Sequence, residues 1–331
     1  MPDIDSSISL VICTKDRPED LARLLASVLK QVPLPSEVIV VDDGSLSGIP
    51  HAADLQDLGV AVSHHQKARP GICRSRNQGA RLARCPLVMY LDDDTVLAPG
   101  YIREMSDLFR LRPEVMGARG LSDTTDGADT RRGQKAWQAL ERFFLLRGRG
   151  HRVLPSGFGS PGWEEFTRAT EVQFLTGCTT YRKSVFETIQ YDEALEELGP
   201  YAFGEDLAFS YRVGKEQGTL IYLPEARLAH LRNTRPRLAP AHLSRLRLHN
   251  QYYIYRSCFR PEPGRPLAFA WALLGKTVLA GLGVLLEPGT RSWRVFSGTL
   301  GGVALVSRMA MGISPVPRPA YHVAAKPAHG E

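Results

Sequence analysis

Three clusters of acidic side chains in this 331-residue sequence sit beside apolar runs, where burial would give a carboxylate unusual chemistry. Asp92-Asp93-Asp94 follows the run LVMYL directly. Three adjacent carboxylates repel one another, and the simplest relief is a divalent cation. Carboxylates plus substrate phosphates suit Mg2+ or Mn2+. Such an ion would bridge a diphosphate and stabilise the charge building on a leaving group. Asp42-Asp43-Gly44-Ser45 ends another apolar run, EVIVV. A carboxylate there can accept the imide N–H of uracil or thymine, or the N–H groups of guanine, though DDGS is equally a good turn sequence. On parallel strands, both clusters would open on one edge of a sheet. Gly204-Glu205-Asp206-Leu207 is the third cluster. One of its carboxylates can take the proton from an attacking hydroxyl, or both can merely stabilise a helix start. His230 offers a neutral imidazole able to ligate the same ion; a lone histidine is otherwise commonly structural.

Bringing these groups together requires strands that end side by side. The β-branched run ISLVIC (8–13) predicts a buried parallel strand. Pro18, Glu19 and Asp20 suit a first helical turn, and Leu21, Leu24, Leu25, Val28 and Leu29 then line one face of a helix ended by Pro33 and Pro35. Glu37–Val41 is the next strand, which completes a β–α–β unit. Further strands are predicted at Val60–Ser63 and Leu87–Leu91, with a helix over Ile72–Ala83 between them. From Asp123 to Thr170 no steady period holds, which predicts a loop-rich excursion over the active face. A strand at Glu171–Leu175, a helix at Glu205–Gln217 and a strand at Thr219–Leu223 follow. Helix is expected after His242, then two glycine-rich apolar stretches, Leu267–Leu286 and Val295–Val306. The fold class is α/β, a doubly wound, mostly parallel sheet flanked by helices, with a C-terminal helical extension. The expected divisions are a catalytic domain over 1–235, a basic and apolar helical extension over 236–315, and a disordered tail over 316–331.

Composition narrows the function. With 43% hydrophobic and 23% charged residues, the chain can build a real core. Its five cysteines are scattered without a CxxC pair, which points away from a zinc knuckle or a disulfide framework and towards reduced thiols in a cytoplasmic protein. The acidic N-terminus, with Lys15 and Asp16 cutting its apolar run, does not resemble an export signal. No G-x-G-x-x-G or G-x-x-x-x-G-K-[ST] follows a strand, so a dinucleotide or P-loop site is poorly supported. The net charge of +6 is concentrated: nine arginines and one acid, Glu262, lie from Arg227 to Arg265. Such a stretch suits anionic lipid, phosphorylated substrates or nucleic acid, or is simply a solvated surface. Leu267–Leu286 is long enough to cross a bilayer, but Lys276 at its middle would cost about 2.5–3.5 kcal/mol at the bilayer centre. Peripheral docking on an anionic membrane surface through the arginines is therefore expected over a span, with packing of the two stretches on the domain as the alternative.

Taken in order, SLVICTKDRPEDLARLLASVLKQ, EVIVVDDGS, PGICRSRNQGARLA, LVMYLDDDT, TGCTTYRKSVFE and GEDLAFSYRV resemble family 2 glycosyltransferases, over roughly Ser6 to Arg232. The resemblance implies a GT-A fold and transfer with inversion, without a covalent intermediate. It implies that Thr14 and Arg17 line the nucleotide pocket with Asp42 and Asp43, Asp43 contacting the base. Arg76 would help hold the base or diphosphate, Asp92 and Asp94 match the D-x-D motif, and Asp206 matches the catalytic base, with Glu205 beside it. The acidic Asp93 in the middle leaves open which pair meets the ion; Asp94 is the first choice, with Asp92 and His230 as companions. Gly177-Cys178 resembles the acceptor-side loop. The expected cofactor is Mn2+ or Mg2+. The expected partners are a nucleotide-diphosphate sugar donor and a glycan or lipid-linked acceptor at the cytoplasmic face of a membrane, with no nucleic acid. A nucleotidyltransferase would want a glycine-rich basic loop, which CTKDRP is not. A non-catalytic sugar- or nucleic-acid-binding protein would have no use for all the acid clusters.

Overall fold

The computed structural model describes residues 6–124, 134–148, 150–160, 166–197, 202–231, 238–259 and 262–317. Strand β1 (Ile8–Thr14), helix α1 (Pro18–Val28) and strand β2 (Glu37–Asp42) form the first β–α–β unit. Helix α2 (Ala52–Asp57), β3 (Ala61–Gln66), α3 (Ile72–Leu82) and β4 (Leu87–Asp92) continue the winding. Next come β5 (Thr95–Leu97), α4 (Tyr101–Leu111), β6 (Val115–Thr124) and α5 (Gln134–Phe143). The short β7 (Arg152–Val153), β8 (Gly159–Ser160) and β9 (Thr170–Val172) precede β10 (Thr179–Arg182), α6 (Glu205–Glu216) and β11 (Thr219–His230). Three long helices close the chain: α7 (Pro240–Cys258), α8 (Arg265–Leu286) and α9 (Thr290–Ala310).

The main sheet runs β3-β2-β1-β4-β10-β6-β11-β5, with β9 also on β11. Strands β3, β2, β1 and β4 are parallel, β10 runs against both β4 and β6, and β11 is parallel to β6. Residues that alternate along β1 explain the two covered faces. Leu10 and Ile12 pack with Leu21, Leu24 and Leu25 of α1 and Met105 of α4. Val11 packs on the other side with Cys73 of α3, Phe209 of α6 and Tyr253 of α7. The expected mostly parallel, helix-flanked sheet is thus present, as are the helices that follow it.

Several elements differ from expectation. Strand β3 starts one residue later and runs to Gln66, and β9 stops at Val172. β11 continues past Leu223 to His230, so His230 ends the strand instead of following it. An irregularity between Leu223 and Arg227 makes this possible, and the second half of the strand pairs with β5. Within 123–170, α5 and the β7–β8 hairpin interrupt the loops. Helix α7 is part of the second core through Tyr253, Ile254 and the following Phe259, while Leu248, Tyr252, Phe269, Val306 and Met309 tie α7, α8 and α9 into a third cluster. The expected division at residue 235 and most of the expected tail, 318–331, lie outside the described residues, as do Arg232, Arg235, Arg237 and Arg260 of the basic stretch.

Candidate active site

Parallel register brings the acid clusters to one edge. Thr14 at the end of β1 pairs with Asp42 of β2, and Cys13 pairs with Asp92 of β4. At Asp42 the carboxylate is committed locally: its oxygens accept from the backbone N–H of Gly44 (2.7 Å) and Leu46 (2.9 Å), with His64 at 3.4 Å. It therefore shapes the turn. Asp43 reaches across to the start of α3. There it accepts from the Gly71 N–H (2.8 Å) and the Ser75 hydroxyl (3.0 Å) and pairs with Lys67 (2.9 Å).

At the end of β4 the three aspartates separate in role. Asp93 is buried and accepts from the Thr14 hydroxyl (2.8 Å) and the Arg17 guanidinium (2.9 Å). Burial pushes its carboxyl up to about 6, against the lowering by Thr14 and Arg17. Asp94 meets Arg17 at 3.3 Å and His230 Nε2 at 2.7 Å. One ligand atom each from Asp92, Asp94 and His230 lie within 4.8 Å of one another. Metal–ligand bonds of about 2.0–2.2 Å place two ligand atoms up to about 4.4 Å apart, so small side-chain adjustments would seat one ion. Two carboxylates and an imidazole fit Mn2+, and fit Mg2+ less well because it prefers oxygen throughout.

The third cluster lies opposite the tip of β10. Gly204 has φ +83, left-handed backbone that suits glycine, and it opens α6 at Glu205 and Asp206. The two Asp206 oxygens are divided: one accepts from Arg76 at 2.5 Å, the other from the Gly177 N–H at 2.8 Å. Gly177 turns that N–H inward with φ +69. Arg76 also reaches Glu205 at 3.1 Å and lies over the Tyr191 ring at 5.1 Å from its centre. Burial raises both carboxyls, and at Glu205 the neighbouring Asp206 raises it further. A proton shared by this pair belongs on Glu205, because Arg76 is closer to Asp206 and the Gly177 N–H bonds Asp206 alone. Asp206 is left ionised.

The structure thus groups Thr14 and Arg17 with Asp93 and Asp94, and Arg76 with Glu205 and Asp206; it does not bring Arg76 onto the Asp43 loop. Sequence reasoning missed Lys67, Arg119, Thr176 and Tyr191. Arg119 of β6 is buried and donates to the Thr176 hydroxyl at 3.0 Å, beside Gly177. Nothing in the sequence around Arg119 marks it, since it lies in a strand without a polar cluster. Cys178, next to Gly177, lies against the end of β4, where its sulfur accepts from the Asp92 N–H at 3.4 Å.

Acid clusters gathered on the carboxyl edge of a mostly parallel sheet fit the GT-A fold of nucleotide-sugar transferase domains. Residues 9–163, a little under half of the chain, match the model for glycosyl transferase family 2. The chain is 36% identical over 99 residues to the uncharacterized glycosyltransferase YwdF of Bacillus subtilis, a match covering 30% of this chain and 37% of that one. It is 30% identical over 116 residues to the glucosyl-dolichyl phosphate glucuronosyltransferase of Haloferax volcanii, covering 34% and 37%. The chain therefore spans little more than a third of the length of these relatives. Among solved structures, S. aureus TarS 1–349 superposes with a TM-score of 0.55 at 14% identity, covering 93% of this chain and 88% of that one. GalNAc-T7, solved with UDP, GalNAc and Mn2+, gives 0.52 at 16% identity, covering 96% and 59%. These likenesses are of fold.

Proposed function

We propose that the protein transfers a glycosyl group from a nucleoside diphosphate sugar to an acceptor hydroxyl in one step, with inversion. One observation carries this reading: the sheet edge holds a cation-fitting triad and, close enough for Asp92 to raise the Asp206 carboxyl, a buried carboxylate gripped by Arg76 and Gly177. Asp206 accepts the acceptor O–H proton as that oxygen bonds to the anomeric carbon, and the bond from that carbon to the diphosphate breaks. A carboxylate offers about four lone-pair sites, so the bonds from Arg76 and Gly177 leave room for that proton. Bound at Asp92, Asp94 and His230, Mn2+ or Mg2+ would offset charge on the departing diphosphate. Thr14 and Arg17 fix Asp93 beside it, and Asp43 with Lys67 and Ser75 shapes the floor proposed for the base. The dolichyl phosphate in the name of the Haloferax relative supports a lipid-linked acceptor, and with it work at a membrane surface.

The test is transfer from UDP-, GDP- and dTDP-sugars with Mn2+, read by anomeric proton couplings of the product. An α-linked donor should give a β-linked product; retained configuration would rule out single-step attack. Asp206→Asn should remove transfer while leaving donor binding nearly intact.

A further inference from the structure

We infer that α8 lies flat on an anionic lipid bilayer, its outward face set into the boundary between headgroups and acyl chains. This rests on the membrane-surface reading above and adds which face meets lipid and in what orientation.

Helix α8 has two faces of different fate. Phe269, Ala272, Gly275, Leu279 and Val284 are buried against the protein. At spacings of three, four and seven residues, Leu267, Trp271, Leu274, Val278 and Leu285 point outward, Leu267 at 78% and Leu285 at 77% exposure. That stripe is about 27 Å long at the helical rise. Phe143, itself exposed, extends it sideways, its ring 5.2 Å from that of Trp271. The single charge between Arg265 and Glu287 is Lys276. It does not interrupt the stripe: its ammonium is drawn inward, 5.6 Å from the centre of the Phe158 ring, and burial lowers its pKa. The charge that argues against α8 in sequence is thus kept away from its outer surface.

Although α8 is long and apolar enough to cross a membrane, its inner face forbids a span. Phe269 is locked among Leu248, Tyr252, Val306 and Met309. Gly275 is so close to Phe144 that a Cβ there would collide with it. The Trp271 indole donates to the Phe143 carbonyl at 2.8 Å. Acyl chains cannot surround a helix whose Phe269, Ala272, Gly275, Leu279 and Val284 are buried on a domain, although little more than a quarter of its apolar stretch is buried. Helix α7 of that domain exposes Arg245 and Arg247.

Charge selects lipid over a second copy of the chain. Where α8 turns into α9, Leu285, Leu286 and Trp293 are exposed beside exposed Arg291 and Arg294, with Arg308 two heptads further along α9. Among the described residues from 266 to 317, Glu287 is the one acid. A two-fold pairing of this face would set arginines against arginines, whereas phosphates complement them. Tryptophan also favours the headgroup level.

The test uses the full chain with vesicles of phosphatidylcholine, with and without phosphatidylglycerol, by co-sedimentation. Wild type should bind the phosphatidylglycerol vesicles and leave them in high salt. Leu274→Asp with Val278→Asp should weaken partitioning about tenfold or more at unchanged melting temperature. Arg291→Gln and Arg294→Gln should each cost about fivefold. Brominated lipid should quench tryptophan fluorescence, and the quenching should be smaller in Trp271→Phe, with Trp293 supplying the remainder. Wild type that binds neither vesicle overturns this inference together with the membrane-surface reading. Binding that survives the aspartate pair overturns the face alone, and binding that only detergent reverses means a span. A salt-independent dimer that loses its contact in the aspartate pair, without vesicle binding, assigns the face to a second copy. Transfer to a soluble acceptor is assayed separately, so failure of the catalytic reading shows independently of all these outcomes.

Discussion

Arg76 and Asp206, separated by 130 residues in the chain, meet at 2.5 Å in the interior, and the same guanidinium nitrogen reaches Glu205 at 3.1 Å. Arg76 carries its charge from α3 under the start of α6, so one buried cation serves two buried acids. This contact joins α3 to the helix that carries the candidate base, and expectations for mutants follow from one buried cation held by two acids of which one is ionised.

Replacing Arg76 by methionine should cost about 3–5 kcal/mol of stability, because it leaves buried carboxyls without their cation. Adding Asp206→Asn should recover part of that loss, since the buried charge left without its cation is then gone. Urea unfolding of both variants measures the coupling; equal losses in the single and double variants would show that the pair does not depend on Arg76.

The pH profile separates the two acids. A base works ionised, and burial raises the Asp206 carboxyl. Activity should therefore fall as pH drops through a midpoint above the ordinary carboxylate range, and stay high on the alkaline side of it. Glu205 is already neutral in this account, so Glu205→Gln should keep turnover within a few-fold and leave the acid limb nearly in place. A kcat/KM profile for the two variants decides it; loss of turnover in Glu205→Gln would transfer the role of base to Glu205.

Much of this arrangement was legible in the chain because apolar runs ending in acids mark buried strands with polar tips. LVMYL and EVIVV gave β4 and β2 that way, and with them Asp92 to Asp94, Asp42 and Asp43. Distinguishing the roles of neighbouring aspartates was not possible, because Asp42 and Asp43 differ only in which loop each faces. The same holds for Asp93, whose partner Thr14 is 79 residues away. Strand β6 and helix α4 escaped notice for a related reason: MGARGLSD alternates small and polar residues, and its place is secured by pairing with β10 and β11. Lys276 shows the opposite failure, a charge that reads as exposed and is buried by tertiary contact.

Divalent ion binding should depend on Asp94 and His230 but far less on Asp93. Asp94→Asn and His230→Ala each remove a donor from the triad, and should weaken Mn2+ by at least the ten- to hundredfold that loss of an outer partner causes. Asp93→Asn should retain Mn2+ while loosening Arg17. Mn2+ titration followed by electron paramagnetic resonance distinguishes these, and chelation with EDTA should remove transfer. Equal weakening by all three variants would mean that Asp93 also holds the ion.

Arg119 acts on the base at one remove. Its guanidinium donates to the Thr176 hydroxyl at 3.0 Å, and the next residue, Gly177, donates its N–H to Asp206 at 2.8 Å. Its charge also lowers the Asp206 carboxyl, opposing the larger effect of burial. Two substitutions separate prop from charge. Thr176→Val keeps the cation but removes its acceptor, so turnover should fall with the acid limb unmoved. Arg119→Met removes both; without a positive charge that favours the ionised form, the Asp206 carboxyl rises further and the acid limb moves to higher pH. At neutral pH a smaller fraction of the enzyme then carries an ionised base, and kcat falls more than in Thr176→Val, while the KM for the donor is unchanged because Arg119 lies on the acceptor side. Profiles of kcat against pH for the two variants provide the measurement. An acid limb that stays in place in Arg119→Met, with only thermal stability reduced, would make Arg119 a packing residue and leave Asp206 tuned by burial, Arg76, Gly177 and Asp92.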